Sequence, residues 1–191
     1  MKANQFWEDR WSTQQIGWDL GQVSPPIANY IKQLSDKNIK ILIPRCGNAY
    51  EAEYLIENGF TNVFIVEIAK GAIDSFVERY PKFPKKNIIH SDFFEIDDQF
   101  DLIIEQTFFC AINPELRQQY VKQMTKLLKS NGKLAGLLFN TDFAGGPPFG
   151  GDKKEYLGLF SDAFNIDVMS ESYNSIKPRQ GKELFIILRK K

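Results

Sequence analysis

The chain has 191 residues, 24 of them basic and 24 acidic, so it carries no formal net charge at pH 7. That length fits one domain with a sizeable core, and a net charge of zero removes the long-range attraction that nucleic acid or an anionic membrane demands. Two cysteines and one histidine argue against a disulfide framework or a structural zinc site.

Residues 1–24 are polar and aromatic-rich. Phe6, Trp7 and Trp11 lie at helical spacing, with Trp7 and Trp11 on one face, and Trp18 follows Gly17. The opening Met1-Lys2-Ala3-Asn4-Gln5 has no signal-peptide pattern, and no apolar run is long enough to span a bilayer, so a cytoplasmic protein without a membrane partner is expected. Pro25-Pro26 punctuates this segment. A helix from Ile27 to Leu34 leads to a first strand, Ile39 to Pro44, and a tight turn at Gly47 opens a helix from Tyr50 to Glu57, capped by Gly59.

A second strand, Val63 to Val66, ends in Glu67. The next helix, Ala72 to Tyr80, is stopped by Pro81 and Pro84. Ile88 to His90 is a short third strand, and Phe100 to Glu105 a fourth, whose continuous apolar run predicts burial on both faces. Pro114 starts a long helix through Leu128, which Asn131-Gly132 ends. Leu134 to Phe139 is strand five. A Gly- and Pro-rich loop, Asp142 to Asp152, precedes a helix from Lys153 to Phe160 and two closing strands, Ile166 to Ser170 and Leu184 to Leu188.

This alternation predicts a three-layer, doubly wound α/β sheet of seven mostly parallel strands in a single domain, 1–191. The connection Glu171 to Lys182 is polar and lacks a helix, which places the last strand antiparallel beside strand five. The length and the lack of an obvious extra apolar surface favour a monomer.

The chemistry concentrates at Ile41-Leu42-Ile43-Pro44-Arg45-Cys46-Gly47-Asn48-Ala49 and at Glu67, twenty residues past Gly47. Such a glycine lets backbone approach a ligand, and an acid ending the second strand suits ribose hydroxyls. The flanking Arg45, Ala49 and Ala52 stand where pyrophosphate-binding glycines would be. An adenosine ligand without phosphates fits better than a nicotinamide dinucleotide, and S-adenosylmethionine is the expected cofactor. Cys46 has no partnered base and reads as packing, as does His90 at a strand end.

The chain resembles the thiopurine S-methyltransferase family of class I S-adenosylmethionine-dependent methyltransferases. The resemblance rests on Phe6-Trp7-Glu8-Asp9-Arg10-Trp11 with Gly17-Trp18, on Pro44-Arg45-Cys46-Gly47-Asn48-Ala49, and on Val66-Glu67-Ile68. It continues through Phe100-Asp101-Leu102-Ile103, Cys110-Ala111-Ile112-Asn113-Pro114 and Gly146-Pro147-Pro148-Phe149. Phe108-Phe109-Cys110-Ala111 and Pro178-Arg179-Gln180-Gly181-Lys182-Glu183-Leu184 bring it nearest to the thiol and halide methyltransferase branch. Arg45 and Gln106 depart from the family, where the first position is small or apolar and the second basic or aromatic.

The resemblance implies that residues 1–24 form a helical lid in which Trp7, Trp11 and Trp18 cover the cofactor. It implies a cofactor site completed by Arg45, Gly47, Glu67, Ile68, Asp92, Phe93, Glu105 and Gln106, with Asp92 at the adenine amino group and Phe93 against the ring. Trp18, Phe108, Phe109, Phe149 and Arg179 would face the acceptor. No catalytic side chain and no metal are expected. A methyl on a sulfonium is already activated, so the protein's part is positioning and water exclusion. The acceptor would be a thiol, hydrosulfide, thiopurine or halide. A cofactor-binding protein without turnover is the rival reading.

Overall fold

A computed structural model describes residues 3–191. The chain runs α1 (Ala3–Ser12), α2 (Pro25–Lys32), β1 (Ile41–Pro44), α3 (Tyr50–Glu57), β2 (Val63–Glu67), α4 (Lys70–Arg79), β3 (Ile88–His90), β4 (Phe100–Gln106), α5 (Arg117–Leu127), β5 (Leu128–Phe139), α6 (Lys153–Phe160), β6 (Phe164–Glu171) and β7 (Glu183–Lys190). The strands form one seven-stranded sheet in the order β3-β2-β1-β4-β5-β7-β6. Pairing is parallel from β3 to β5, and β7 is antiparallel to both β5 and β6. The connection before β7 contains only a short 3-10 turn, Lys177–Arg179, and β7 takes the antiparallel place beside β5 expected from sequence.

The four residues of β1 are all buried, and their alternation divides the core. Leu42 points into the cluster built with α5 and α6, whereas Ile41 and Ile43 join the cluster built with α2, α3 and α4. Side chains alternate across a strand with a period of two, so an unbroken apolar run serves both faces of a covered parallel sheet.

Of the boundaries that differ from expectation, three have a clear physical cause. α2 begins at Pro25 itself, because a proline at a first helical turn loses only an N–H that has no intrahelical acceptor. Pro114 opens a separate 3-10 turn, Pro114–Leu116, which precedes α5. Asn131-Gly132 does not end a helix. β5 already begins at Leu128, and its pairing shifts register between Phe100–Leu128 and Leu102–Lys133. Asn131 adopts φ 60° at this interruption, and a Cβ on Gly132 would stand 2.9 Å from the Lys129 carbonyl oxygen. Asparagine and glycine are the residues that tolerate such crowding and handedness.

The strand order reverses between β1 and β4, and the turns that leave these two strands flank the crevice at their carboxyl ends, where open α/β sheets bind ligands.

Candidate active site

β1 delivers Arg45, Gly47 and Ala49 in left-handed conformations, with φ of 51°, 52° and 51°. Only the glycine takes that conformation without steric cost. The Arg45 N–H nonetheless donates to Val66 O at 2.7 Å, extending the β1–β2 ladder into the turn. A Cβ on Gly47 would stand 3.6 Å from the Trp11 ring, so α1 lies directly against the turn.

Glu67 closes β2 and is 4% exposed. Its Oε1 accepts from the N–H groups of Ile68 (2.8 Å) and Ala69 (3.0 Å), and its Oε2 from that of Gly47 (3.2 Å). One carboxylate therefore pins the glycine turn to the end of the neighbouring strand. The Arg45 guanidinium sits between the rings of Trp7 (5.8 Å) and Phe108 (5.6 Å), with Nε enclosed and without a partner. Burial draws the Arg45 pKa down, and the charges of Glu67 and Asp92 draw it back up.

Residues 3–24 are fastened across this crevice at several points. α4 has no side-chain cap of its own; Glu8 supplies one from α1, its carboxylate accepting from the N–H groups of Lys70 and Gly71. A carboxylate at a helix N-terminus satisfies free donors and complements the helix dipole. The Trp7 and Trp18 rings meet edge to face at 5.5 Å. Asp19 Oδ2 accepts from Asn48 Nδ2 (2.8 Å) and from the Tyr50 hydroxyl (3.2 Å). The Trp18 carbonyl accepts from Arg179 Nη2 at 3.1 Å, and Ser24 Oγ donates to Gln106 Oε1 at 3.2 Å.

Three adjoining spaces result. A cavity of about 380 Å³ lies beyond β4 and β5, where Phe139, Phe143, Pro147 and Pro148 form apolar walls and Arg10, Arg179 and Lys182 bring positive charge. Two narrower crevices of about 50 Å³ each run along the Gly47 turn, one past Trp11, Glu67 and Phe108, the other past Asp19, Glu51 and Gln106. Trp18 and Thr107 border all three. Cys110 also lines the large cavity, but burial pushes its thiol up to about 12, and Sγ donates to Thr107 O at 3.1 Å.

The structure brings Trp7, Trp11, Trp18, Arg45, Gly47, Glu67, Gln106 and Phe108 together around the crevices and sets Arg179 on the large cavity. Ile68 is buried beside them, with its N–H on Glu67. Other expected residues stand elsewhere. Phe93 is 0% exposed, packed 5.0 Å from Phe108 and 6.0 Å from Tyr120, so its ring belongs to the core instead of a crevice wall. Phe109 turns inward in the 3-10 turn Phe109–Ala111 and packs on Tyr120 and Tyr156. Glu105 is fully enclosed; it accepts from the N–H groups of Phe108 (2.8 Å) and Phe109 (2.9 Å) and from the Tyr120 hydroxyl (2.6 Å). It shapes the turn after β4 without lining any of the three spaces.

Asp92 Oδ1 accepts from the Phe94 N–H at 3.1 Å and so caps the turn after β3. Phe149 donates its N–H to Cys110 O at 2.7 Å and lays its ring over Gly146, which leaves Pro147 and Pro148 to form the wall. Sequence reasoning passed over Arg10, Thr107, Phe139, Phe143 and Lys182. Phe139, at the carboxyl end of a strand, and Arg10 and Lys182, inside the opening and tail motifs, carried a signal; Thr107 and Phe143 did not.

The family model for thiopurine S-methyltransferase matches residues 2–188. A probable thiol methyltransferase 2 of Arabidopsis thaliana is 32% identical over 184 residues, a match covering 93% of this chain and 81% of the relative. A thiopurine S-methyltransferase of Acinetobacter baylyi is 25% identical over 205 residues, covering 93% of each chain. Among solved structures, the 1,6-didemethyltoxoflavin-N1-methyltransferase of Burkholderia thailandensis with bound S-adenosylhomocysteine superposes with a TM-score of 0.79 at 14% identity, over 98% of this chain and 86% of that one. That likeness establishes the fold alone. With the family matched across almost its whole length, the chain belongs to the thiopurine S-methyltransferase family and is a methyltransferase that uses S-adenosylmethionine.

Proposed function

We propose that this protein transfers the methyl group to a small soft nucleophile, a thiol or its hydrosulfide, thiopurine or halide counterpart, by in-line displacement. One observation carries the reading. Among the described residues, the wall of the large cavity contains no carboxylate and no imidazole, while it contains Arg10, Arg179 and Lys182. An oxygen or nitrogen acceptor that must lose a proton would need a base there. A thiol ionises unaided, with a reference pKa near 8.5.

The residues present fit the cofactor. Bound S-adenosylmethionine supplies a methyl group on a positively charged sulfur. The left-handed Gly47 turn and the first amides of α3 suit its carboxylate, and Glu67 suits the ribose hydroxyls. Asp92 stands at the next strand end for the adenine amino group, with Ile68 and Gln106 along the rim. The faces of Trp7, Trp11 and Trp18 suit a cation and exclude water. In this reading residues 3–24 act as a lid.

The test is S-adenosylhomocysteine formation by the purified protein with sulfide, benzenethiol, a thiopurine and iodide, against a blank without acceptor. Turnover of one of these well above the blank is expected. Phenol or aniline consumed as fast as the best sulfur acceptor would overturn the proposal.

A further inference from the structure

We infer that the acceptor is an organic thiol that carries a second anionic group, such as a carboxylate, at the end remote from its sulfur. This rests on the sulfur-acceptor reading above and narrows it.

The first observation is size. The cavity holds about 380 Å³, whereas a water-sized particle takes about 30 Å³ of liquid. Hydrosulfide or a halide would leave most of that space to solvent. The cavity is instead of the size that encloses an organic ligand, and Trp7, Trp18, Phe139 and Phe143 give it walls for a flat or aliphatic body.

The second observation is where the charge lies. Arg10, Arg179 and Lys182 border the large cavity and neither of the two narrow crevices, whereas Trp7, Trp18 and Thr107 border the crevice beside Gly47 as well. A thiolate must meet the methyl group at the shared, crevice end. Arg179 is tied to that end through the Trp18 carbonyl, whereas Arg10 and Lys182 border the large cavity alone and face a different part of the acceptor.

The third observation is that two of these cations lack a counter-charge. Arg179 pairs with Glu183 at 3.3 Å and holds the Trp18 carbonyl, so its charge is already committed. Among the described residues neither Arg10 nor Lys182 has a carboxylate within ion-pair distance; Lys182 is exposed to solvent, whereas Arg10 lies over the Phe6 ring at 4.8 Å with its Nε enclosed and without a hydrogen bond. An arginine part-enclosed in an apolar space without a counter-charge is unfavourable. An anionic group on the ligand satisfies it with charge-assisted hydrogen bonds.

In the reaction, the thiolate sulfur gives a lone pair to the methyl carbon while the donor's sulfur–methyl bond breaks and its electron pair stays on the donor sulfur. No proton moves, and the remote carboxylate keeps its charge throughout. It contributes to binding and orientation, and its effect belongs in KM.

The experiment compares 4-mercaptobenzoate with 4-methylbenzenethiol, and both with iodide, on the full chain and its Lys182→Ala and Lys182→Glu variants. The expected kcat/KM is about tenfold higher for the carboxylated thiol, the size of one charge-assisted hydrogen bond. Lys182→Ala should reduce that preference through KM, and Lys182→Glu should abolish it. Equal kcat/KM for the two thiols, a preference that survives Lys182→Glu, or iodide preferred to both overturns the inference while leaving the soft-nucleophile reading intact. No S-adenosylhomocysteine from any acceptor overturns that underlying reading and this inference with it.

Discussion

Arg45 and Glu67 face each other inside the crevice, Nη1 to Oε1 at 3.9 Å, with both side chains largely enclosed. The guanidinium thus occupies ground beside the carboxylate assigned to the ribose, and it holds a left-handed backbone to do so. A ribose bound at Glu67, as proposed, would displace it. Arg45→Gly is therefore expected to tighten S-adenosylhomocysteine binding, tenfold for each ~1.4 kcal/mol that the displacement costs. Titration calorimetry on both proteins measures this. Weaker binding in the variant would assign Arg45 to holding the ligand.

Glu67→Ala should weaken cofactor binding by about 1–3 kcal/mol if the lost hydrogen bonds go to ribose. The same change frees three N–H groups, on Gly47, Ile68 and Ala69, so some loss of stability accompanies it. Urea unfolding and calorimetry separate the two effects. Cofactor affinity equal to that of the native protein would sink the ribose assignment.

Glu8 reaches across 62 positions in sequence to cap α4. Glu8→Ala is expected to cost about 1 kcal/mol of stability, the usual value of an N-terminal cap, and to raise the cofactor Kd by loosening the segment that carries Trp7 and Trp11. Gly71→Ala tests the same contact by crowding, since its Cβ would stand 3.2 Å from Trp11 Cβ and 3.4 Å from the Glu8 carboxylate. Unaltered affinity in both variants would mean that the segment does not cover the ligand.

Burial pushes the Glu105 carboxyl up to about 7, against the opposing pull of Tyr120 and two backbone N–H groups; burial likewise raises Glu51 to about 7. The unfolded reference lies near 4.3. Across that window the native state holds more protons than the unfolded chain, so stability falls as pH rises from about 4.5 to about 7 and levels off above it. Asp98 and Asp101, held below their ordinary value by Lys40 and Lys129 in spite of burial, act in the opposite sense only at lower pH. Urea midpoints from about pH 5 to about pH 8 should decline in the native protein and decline less in Glu105→Gln. Parallel curves would exclude Glu105 as a source of the slope.

The sheet was legible because its cues are local. The apolar run of β4 announced burial on both faces, and the polar connection before β7 announced reversal. The start of β5 was hidden because Asn131-Gly132 is turn chemistry placed inside a strand at a register shift. The crevice was legible at Gly47 and Glu67, where backbone conformation and strand position constrain the residue type. Phe93 and Phe109 misled because a short 3-10 turn can aim a ring either way, and the sequence has no periodicity there to decide. Arg10 and Lys182 lie in motifs at opposite ends of the chain, and nothing within either segment tells that the two reach one cavity.

The bond from Arg179 to the Trp18 carbonyl spans 161 positions. Closing a loop of that length comes late, after the local and neighbouring-strand contacts that offset its entropy. A nascent chain that has extruded every parallel strand still has no finished reaction chamber. Arg179 and Lys182 join the aromatic wall only when the final hairpin arrives, so a chain interrupted before that hairpin lacks one side of this cavity however well its first half has folded.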